Sequence, residues 1–232
     1  MPARPTVLPE RPRDRRTSAA AVGAQGVRVT GLPRDLQHWL PVNENRIVRH
    51  FEVRVATVDD APAMGRVMVE SFLSAHRGQM PDAAYQKRVD EWTPEVSATA
   101  WAKALAELAG GNPAGDVVLV AEDEGGLLGL VSGGAAEGSD AACEIGALYV
   151  HPQRQGRGIG RALLRAAAGH LAELGYAELR IGVLSANSPA RAFYEAMGGR
   201  ETGQDTEDEE GYLLPLTIYG WADVTDLDPK RN

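Results

Sequence analysis

The chain has 232 residues, 44% of them apolar, and a formal net charge of −8. That length suits one sizeable α/β domain, and the acidic balance argues against general nucleic-acid binding, which favours basic surfaces. A single cysteine, Cys143, and five scattered histidines exclude an internal disulfide framework and a multi-cysteine zinc site, so no metal is expected. No apolar run approaches about eighteen residues, and the N-terminus lacks the apolar core of a secretory signal; the expectation is a cytoplasmic protein without a membrane partner.

Residues 1–46 differ from the rest. Pro2, Pro5, Pro9 and Pro12 alternate with Arg4, Arg11, Arg13, Arg15 and Arg16, and an alanine- and glycine-rich stretch follows. Poor periodicity marks this as a flexible tail ahead of one domain over residues 47–232. A docking arm for an acidic partner is the functional alternative; Glu10, Asp14 and the prolines weigh against an arginine-rich targeting peptide.

The domain starts near Ile47, where Phe51, Val53 and Val55 alternate with Glu52 and Arg54 as in a strand. Thr57 or Asp59 can cap a helix through Met64, Val67, Met68 and Phe72, broken by Gly78 and Pro81. Two helical pieces follow, near 83–91 and 97–108. Val117–Ala121 and Leu127–Ser132 read as a hairpin around Glu124-Gly125-Gly126, and Ile145–Val150 as another strand. Ile159, Leu163, Ala167, Leu171 and Leu174 share one helical face, closed by Gly175. Leu179, Ile181 and Val183 form a strand. Ser188 and Pro189 suit the N-cap and first turn of a short helix through Met197. A strand at Arg200, an acidic loop and a strand over Leu214–Tyr219 make a closing hairpin. Successive hairpins with one strand–helix–strand crossover imply an α/β (α+β) fold, a mixed sheet carrying helices rather than a doubly wound parallel one.

Between the strand ending at Val150 and the helix beginning at Ile159 lie Gly156, Gly158 and Gly160, with Arg154, Arg157 and Arg161 nearby. Glycines at a helix start let backbone N–H groups approach a phosphate, and the helix terminus favours its negative charge. A P-loop is excluded because no Lys-Ser or Lys-Thr occurs, and the spacing fails the GxGxxG fingerprint, since Arg161 or Leu163 stands where the third glycine belongs. Gln155-Gly156-Arg157-Gly158-Ile159-Gly160 instead resembles the acetyl-CoA pyrophosphate loop of the GNAT N-acetyltransferase superfamily. The strand Glu144–Pro152, the segment Asn187-Ser188-Pro189-Ala190-Arg191-Ala192-Phe193-Tyr194 and the opening Arg54–Ala61 resemble family text as well, so the likeness covers roughly residues 50 to 225.

The resemblance implies a mostly antiparallel central sheet whose fourth and fifth strands splay apart, and acetyl-CoA as acyl donor. It places the pyrophosphate on Gln155, Gly156, Arg157, Gly158, Gly160 and Arg161, and the pantetheine arm along the strand edge at Leu148, Tyr149 and Val150, as in β-augmentation. One N–H of that edge would stabilise the oxyanion. Tyr194 resembles the tyrosine set beside the CoA sulfur as an acid, or it packs its ring with the hydroxyl wet. Asn187 resembles a pantetheine contact, or it caps the next helix. Amine acetylation needs a neutral amine, hence a base; Glu144 is the candidate, the alternative being a solvated strand-start carboxylate. Cys143 faces the opposite side of that strand and reads as a packed residue, so transfer is expected to be direct, in a ternary complex. A homodimer is common in the family. His76–Pro81 and Trp92 resemble text of small-molecule members and favour a small amine over a protein tail. The acids Glu201, Asp205, Glu207, Asp208, Glu209 and Glu210 either attract a cationic acceptor or form a solvated loop.

Overall fold

The computed structural model describes residues 51–111, 116–209 and 211–227. The tail reading of residues 1–46 and the start near Ile47 lie outside the described residues. The elements run β1 (Glu52–Val55), α1 (Ala61–His76), α2 (Asp82–Glu91), α3 (Pro94–Ala109), β2 (Val117–Asp123), β3 (Gly126–Ala135), β4 (Ala142–Val150), α4 (Ile159–Glu173), β5 (Glu178–Leu184), α5 (Ser188–Ala196), β6 (Arg200–Glu209) and β7 (Tyr212–Trp221). The seven strands form one sheet in the order β1-β2-β3-β4-β5-β7-β6. Every pairing is antiparallel except β4 with β5. This is the mixed sheet expected from the order of hairpins and one crossover.

The sheet separates two apolar cores. On one face α4 buries Leu163, Leu164 and Leu171 completely against Leu119, Val131, Ile145 and Ile181; each such side chain is worth about 1.5–3 kcal/mol of burial. On the other face α1 and α3 cover Val118, Val120, Leu130 and Ala147. Gly65 lets those two helices touch, because a Cβ there would stand 2.5 Å from the Pro94 carbonyl oxygen. Met64, Met68, Phe72 and His76, each four residues apart, form the inward face of α1, and all four are buried.

Two local expectations need correction. The N-cap of α5 is Asn187, not Ser188: its Oδ1 accepts from the Ala190 N–H at 3.2 Å, and Pro189 falls at the second helical position. The amide oxygen of Asn187 reaches the Ala190 N–H of the first turn, so the helix begins at Ser188, one residue earlier than the Ser-Pro pair suggests. The acidic stretch is no loop. It is strand β6, paired with β7 from Arg200↔Gly220 to Glu209↔Tyr212, and Asp205, Glu207 and Glu209 are its more buried positions. Backbone pairing along an apolar partner strand overrides the low strand propensity of the acids.

Candidate active site

The parallel contact between β4 and β5 is short. Only Ala142↔Glu178, Cys143↔Leu179 and Glu144↔Arg180 are paired. Beyond them β4 continues against β3 to Val150, and β5 against β7 to Leu184. From Ile145 and Ile181 onward the two facing edges have no strand partner among the described residues, and a cavity opens between them. The expected splay is therefore present. The register of β3 on β4 jumps from Ser132↔Ala147 to Gly133↔Ile145, leaving Gly146 as an extra residue. This β-bulge exchanges the faces of the strand. Ile145 points into the α4 core, whereas Ala147, two residues on, packs in the core under α1.

The opening connects the two faces of the sheet. Asn187, Ala190 and Tyr194 of α5 line it from one side; Phe72 and His76 of α1 and Glu207 and Glu209 of β6 line it from the other. Leu148 and Tyr149 lie along its β4 wall. Val150 ends that strand, and its carbonyl accepts from Gln155 Nε2 at 3.2 Å and from Ser71 Oγ at 3.1 Å.

The glycine-rich turn lies beyond the end of β4. Gly156 and Gly158 have φ of 74° and 81°, a region a side chain enters only with strain. Gly158 is also the N-cap of α4, and no side chain caps that end. The first intrahelical bond there runs from the Ala162 N–H to the Gly158 carbonyl, so the N–H groups of Ile159, Gly160 and Arg161 lie ahead of it, at a helix terminus suited to an anion. Gln155 to Gly158 are exposed, and Arg161 is half-buried on the first turn.

Tyr194 is buried, with its ring edge-on to Phe193 and tilted against Tyr219. Burial pushes its phenol well above the ordinary tyrosine range, so the hydroxyl keeps its proton at neutral pH. Asn187 caps α5, one of the two readings of the sequence, and it also lines the cavity. Cys143 is fully buried on the α4 side, donates Sγ–H to the Glu178 carbonyl at 3.2 Å, and has its thiol pushed up to about 12 by burial. That is the packed cysteine expected.

Glu144 lies on the opposite face of β4 from Cys143, at the closed end of the split, in register with Arg180; it is not one of the lining residues. The carboxylates that do line the cavity are Glu207 and Glu209. Glu209 is almost completely buried, and Arg88 of α2 donates to its Oε2 from Nε at 2.9 Å and from the terminal nitrogen at 2.6 Å. The Arg88 guanidinium also lies over the Trp92 ring. His76 was legible only as family text. Its spacing from Met64, Met68 and Phe72 could have placed it on the buried face of α1. Nothing local marks Arg88 and Glu209 as partners 121 residues apart. Among the described residues no group of three or more His, Cys, Asp or Glu could hold a metal ion, and no helix is long and apolar enough to cross a membrane.

This arrangement, a sheet split at the one parallel pair among the described strands with a left-handed glycine turn at the head of the following helix, defines a CoA-dependent acyltransferase architecture. The acetyltransferase (GNAT) family model matches residues 80–199, and the chain belongs to that family: it is an acyltransferase. It is 28% identical over 190 residues to the uncharacterized N-acetyltransferase YuaI of Bacillus subtilis, covering 78% of this chain and 98% of that protein. It is 30% identical over 181 residues to the mycothiol acetyltransferase of Kocuria rhizophila, covering 75% of this chain but only 46% of that protein's length. The structure of yncA, a putative acetyltransferase from Salmonella typhimurium with its cofactor acetyl-CoA, superposes with a TM-score of 0.55 at 25% identity, over 74% of this chain and 92% of that one.

Proposed function

We propose that this protein transfers an acetyl group from acetyl-CoA to a primary amine of a small molecule, directly and within a ternary complex. The observation that carries the reading is the split between β4 and β5, entered by Tyr194 from one face of the sheet and headed by the left-handed Gly156–Gly158 turn. In this reading the CoA pyrophosphate takes the N–H groups from Gly156 to Arg161, with Arg157 and Arg161 adding charge. The pantetheine arm pairs with the free edge of β4 along Leu148, Tyr149 and Val150, and the Asn187 amide, its oxygen engaged at the helix cap, donates to the arm. Main-chain pairing suits an amide-bearing chain because each pantetheine amide finds a strand partner.

Tyr194 then protonates the departing thiolate. Its raised phenol pKa supports that role, since a proton donor must hold its proton until the C–S bond breaks. Free N–H groups of the β4 edge stabilise the oxyanion. Glu144 stands near the closed end of the split and reaches the amine only through water. The mycothiol acetyltransferase likeness supports a small-molecule acceptor. A library of small amines and peptides, assayed by release of free CoA, tests the proposal. Turnover of small amines is expected; turnover confined to peptide N-termini or lysines would replace it with a protein acetyltransferase, and CoA binding without any turnover would overturn it.

A further inference from the structure

Glycine in the interior of a strand weakens it, because it loses more backbone freedom on folding and packs no side chain. Two such glycines stand at the base of the split. Glu144↔Arg180 is the last pair between β4 and β5, and Gly146 and Gly182 lie two residues beyond it, one on each strand. Both line the cavity. Gly129 and Gly133 of β3 have a steric reason: a Cβ on either would stand 2.7 Å from a carbonyl oxygen of β4. Gly146 and Gly182 have none. A Cβ on Gly146 would meet nothing within 4 Å beyond its chain neighbours. One on Gly182 would meet only Cδ1 of Ile218 and of Leu216, at the ordinary contact distances of 3.5 and 3.6 Å. Neither residue has a left-handed φ, so the bulge at Gly146 does not by itself require glycine. What both positions preserve is empty volume. Without a clash to avoid or a left-handed turn to make, such a glycine is the mark of a ligand approaching the strand.

We propose that this volume is an acyl pocket, and that Gly146 and Gly182 let the donor site take propionyl and butyryl groups as well as acetyl. The proposal rests on the donor half of the reading above, acyl-CoA bound along β4, and extends it to the acyl chain. With the pyrophosphate at Gly156–Arg161 and the pantetheine arm running from Val150 to Leu148, the thioester and then the acyl carbons point toward Gly146. Leu148 and Gly146 are two positions apart, at most about 7 Å of strand. An acyl chain lengthens by at most about 1.5 Å per carbon. Acetyl therefore stops short of the glycines, whereas a third and fourth carbon reach the space beside them.

The walls there are apolar. Ile145 and Ala147 adjoin Gly146, Ile181 and Val183 adjoin Gly182, and all four are buried and line the cavity. Such walls suit methylene groups and disfavour a charged acceptor. The strand pairing at Glu144↔Arg180 closes the split behind the glycines and limits the chain length. Transfer is unchanged in kind. The nitrogen of a neutral amine bonds to the acyl carbonyl carbon and the C–S bond breaks. The nitrogen loses one proton and the thiolate gains one, giving the N-acylamide and CoA.

The test is calorimetry of the full chain with acetyl-, propionyl-, butyryl- and hexanoyl-CoA, in the absence of acceptor. Burying one methylene tightens binding about fourfold. Wild type should therefore bind propionyl-CoA about four times more tightly than acetyl-CoA, keep or extend that gain with butyryl-CoA, and lose it with hexanoyl-CoA. Gly146→Ala and Gly182→Ala each put a methyl group into the pocket and should bring the propionyl-to-acetyl ratio of affinities to one or below. Gly203 is exposed on the edge strand β6, has open space for a Cβ and does not line the cavity. Gly203→Ala should keep the wild-type ratio. A wild type that binds propionyl-CoA no more tightly than acetyl-CoA, or alanine variants at 146 and 182 that keep the preference, overturn the acyl pocket and leave the acetyltransferase reading intact. A protein that binds no acyl-CoA overturns both. One that shows the chain-length preference but acylates nothing in the library of small amines and peptides supports the pocket and overturns the reading of amine acetylation alone. Should both alanine variants fail to fold, the wild-type series decides. A gain through butyryl followed by a loss at hexanoyl is expected of a closed pocket, and a gain that continues with every added carbon overturns it.

Discussion

At the scale of single residues, the decisive feature is how a proton is held. Tyr194 and Cys143 are both buried, and burial raises both pKa values for the same reason, the cost of an anion in an apolar site. Their positions separate their roles. Tyr194 lines the cavity, and Cys143 is packed beneath the sheet on hydrogen-bonding terms with the Glu178 carbonyl. Tyr194→Phe keeps the ring that packs on Phe193 and Tyr219 and removes only the proton. It should lower kcat about 10²-fold while CoA affinity by calorimetry and the unfolding midpoint stay close to wild type. A comparable loss of CoA affinity would mean that the hydroxyl serves binding rather than proton transfer.

At the scale of elements, the turn into α4 is where the proposed CoA site depends on backbone conformation. Gly156 and Gly158 adopt left-handed φ values that an L side chain resists by about 1–2 kcal/mol. Gly160 sits on the helix itself, and a Cβ there would meet the Phe193 ring at 3.5 Å, an ordinary contact. Gly158→Ala should therefore cost about 1–2 kcal/mol in urea unfolding and weaken CoA binding, whereas Gly160→Ala should leave both nearly unchanged. Calorimetry with CoA on the two variants checks the contrast. The bulge at Gly146 acts at the same scale: one extra residue turns the outer half of β4 over, so that Tyr149 is presented to the α1 side.

At the scale of the whole molecule, charge pairs tie distant segments together. Arg88 on α2 and Glu209 on β6 have side chains 12% and 2% exposed. Removing one partner strands a buried charge, which costs about 3–5 kcal/mol, while replacing both by apolar groups is often tolerated. Arg88→Met should destabilise the fold by about 3 kcal/mol, and Arg88→Met with Glu209→Leu should recover most of it in denaturant titrations. Arg54 joins β1 to Asp60 and Glu122 at 2.7 and 2.6 Å. Its hydrogen bonds hold both carboxyls below their ordinary range. The unfolded chain then binds those protons first as pH falls, so their contribution is present above the ordinary carboxylate range and is lost as pH drops through the depressed values. Arg54→Met should flatten that acid dependence of the unfolding midpoint.

The order of strands and helices, the buried face of α4 and the glycine turn were all readable along the chain, because each depends on spacing within one element: a period of two, a period of about 3.6, or a short run of glycines. The family text of Asn187 to Tyr194 and of the turn marked the α5 side of the cavity in the same local way. The α1 side was not readable. Asp205, Glu207 and Glu209 looked like loop acids until β6 paired with β7 and aimed every second one inward. His76 came to line the cavity only when the end of α1 met the opening between β4 and β5. Sequence spacing determines which residues share a face of an element. Which faces meet across the cavity depends on strand register, one bulge and the place where a parallel pair parts, and those are settled only when the sheet assembles between its two cores.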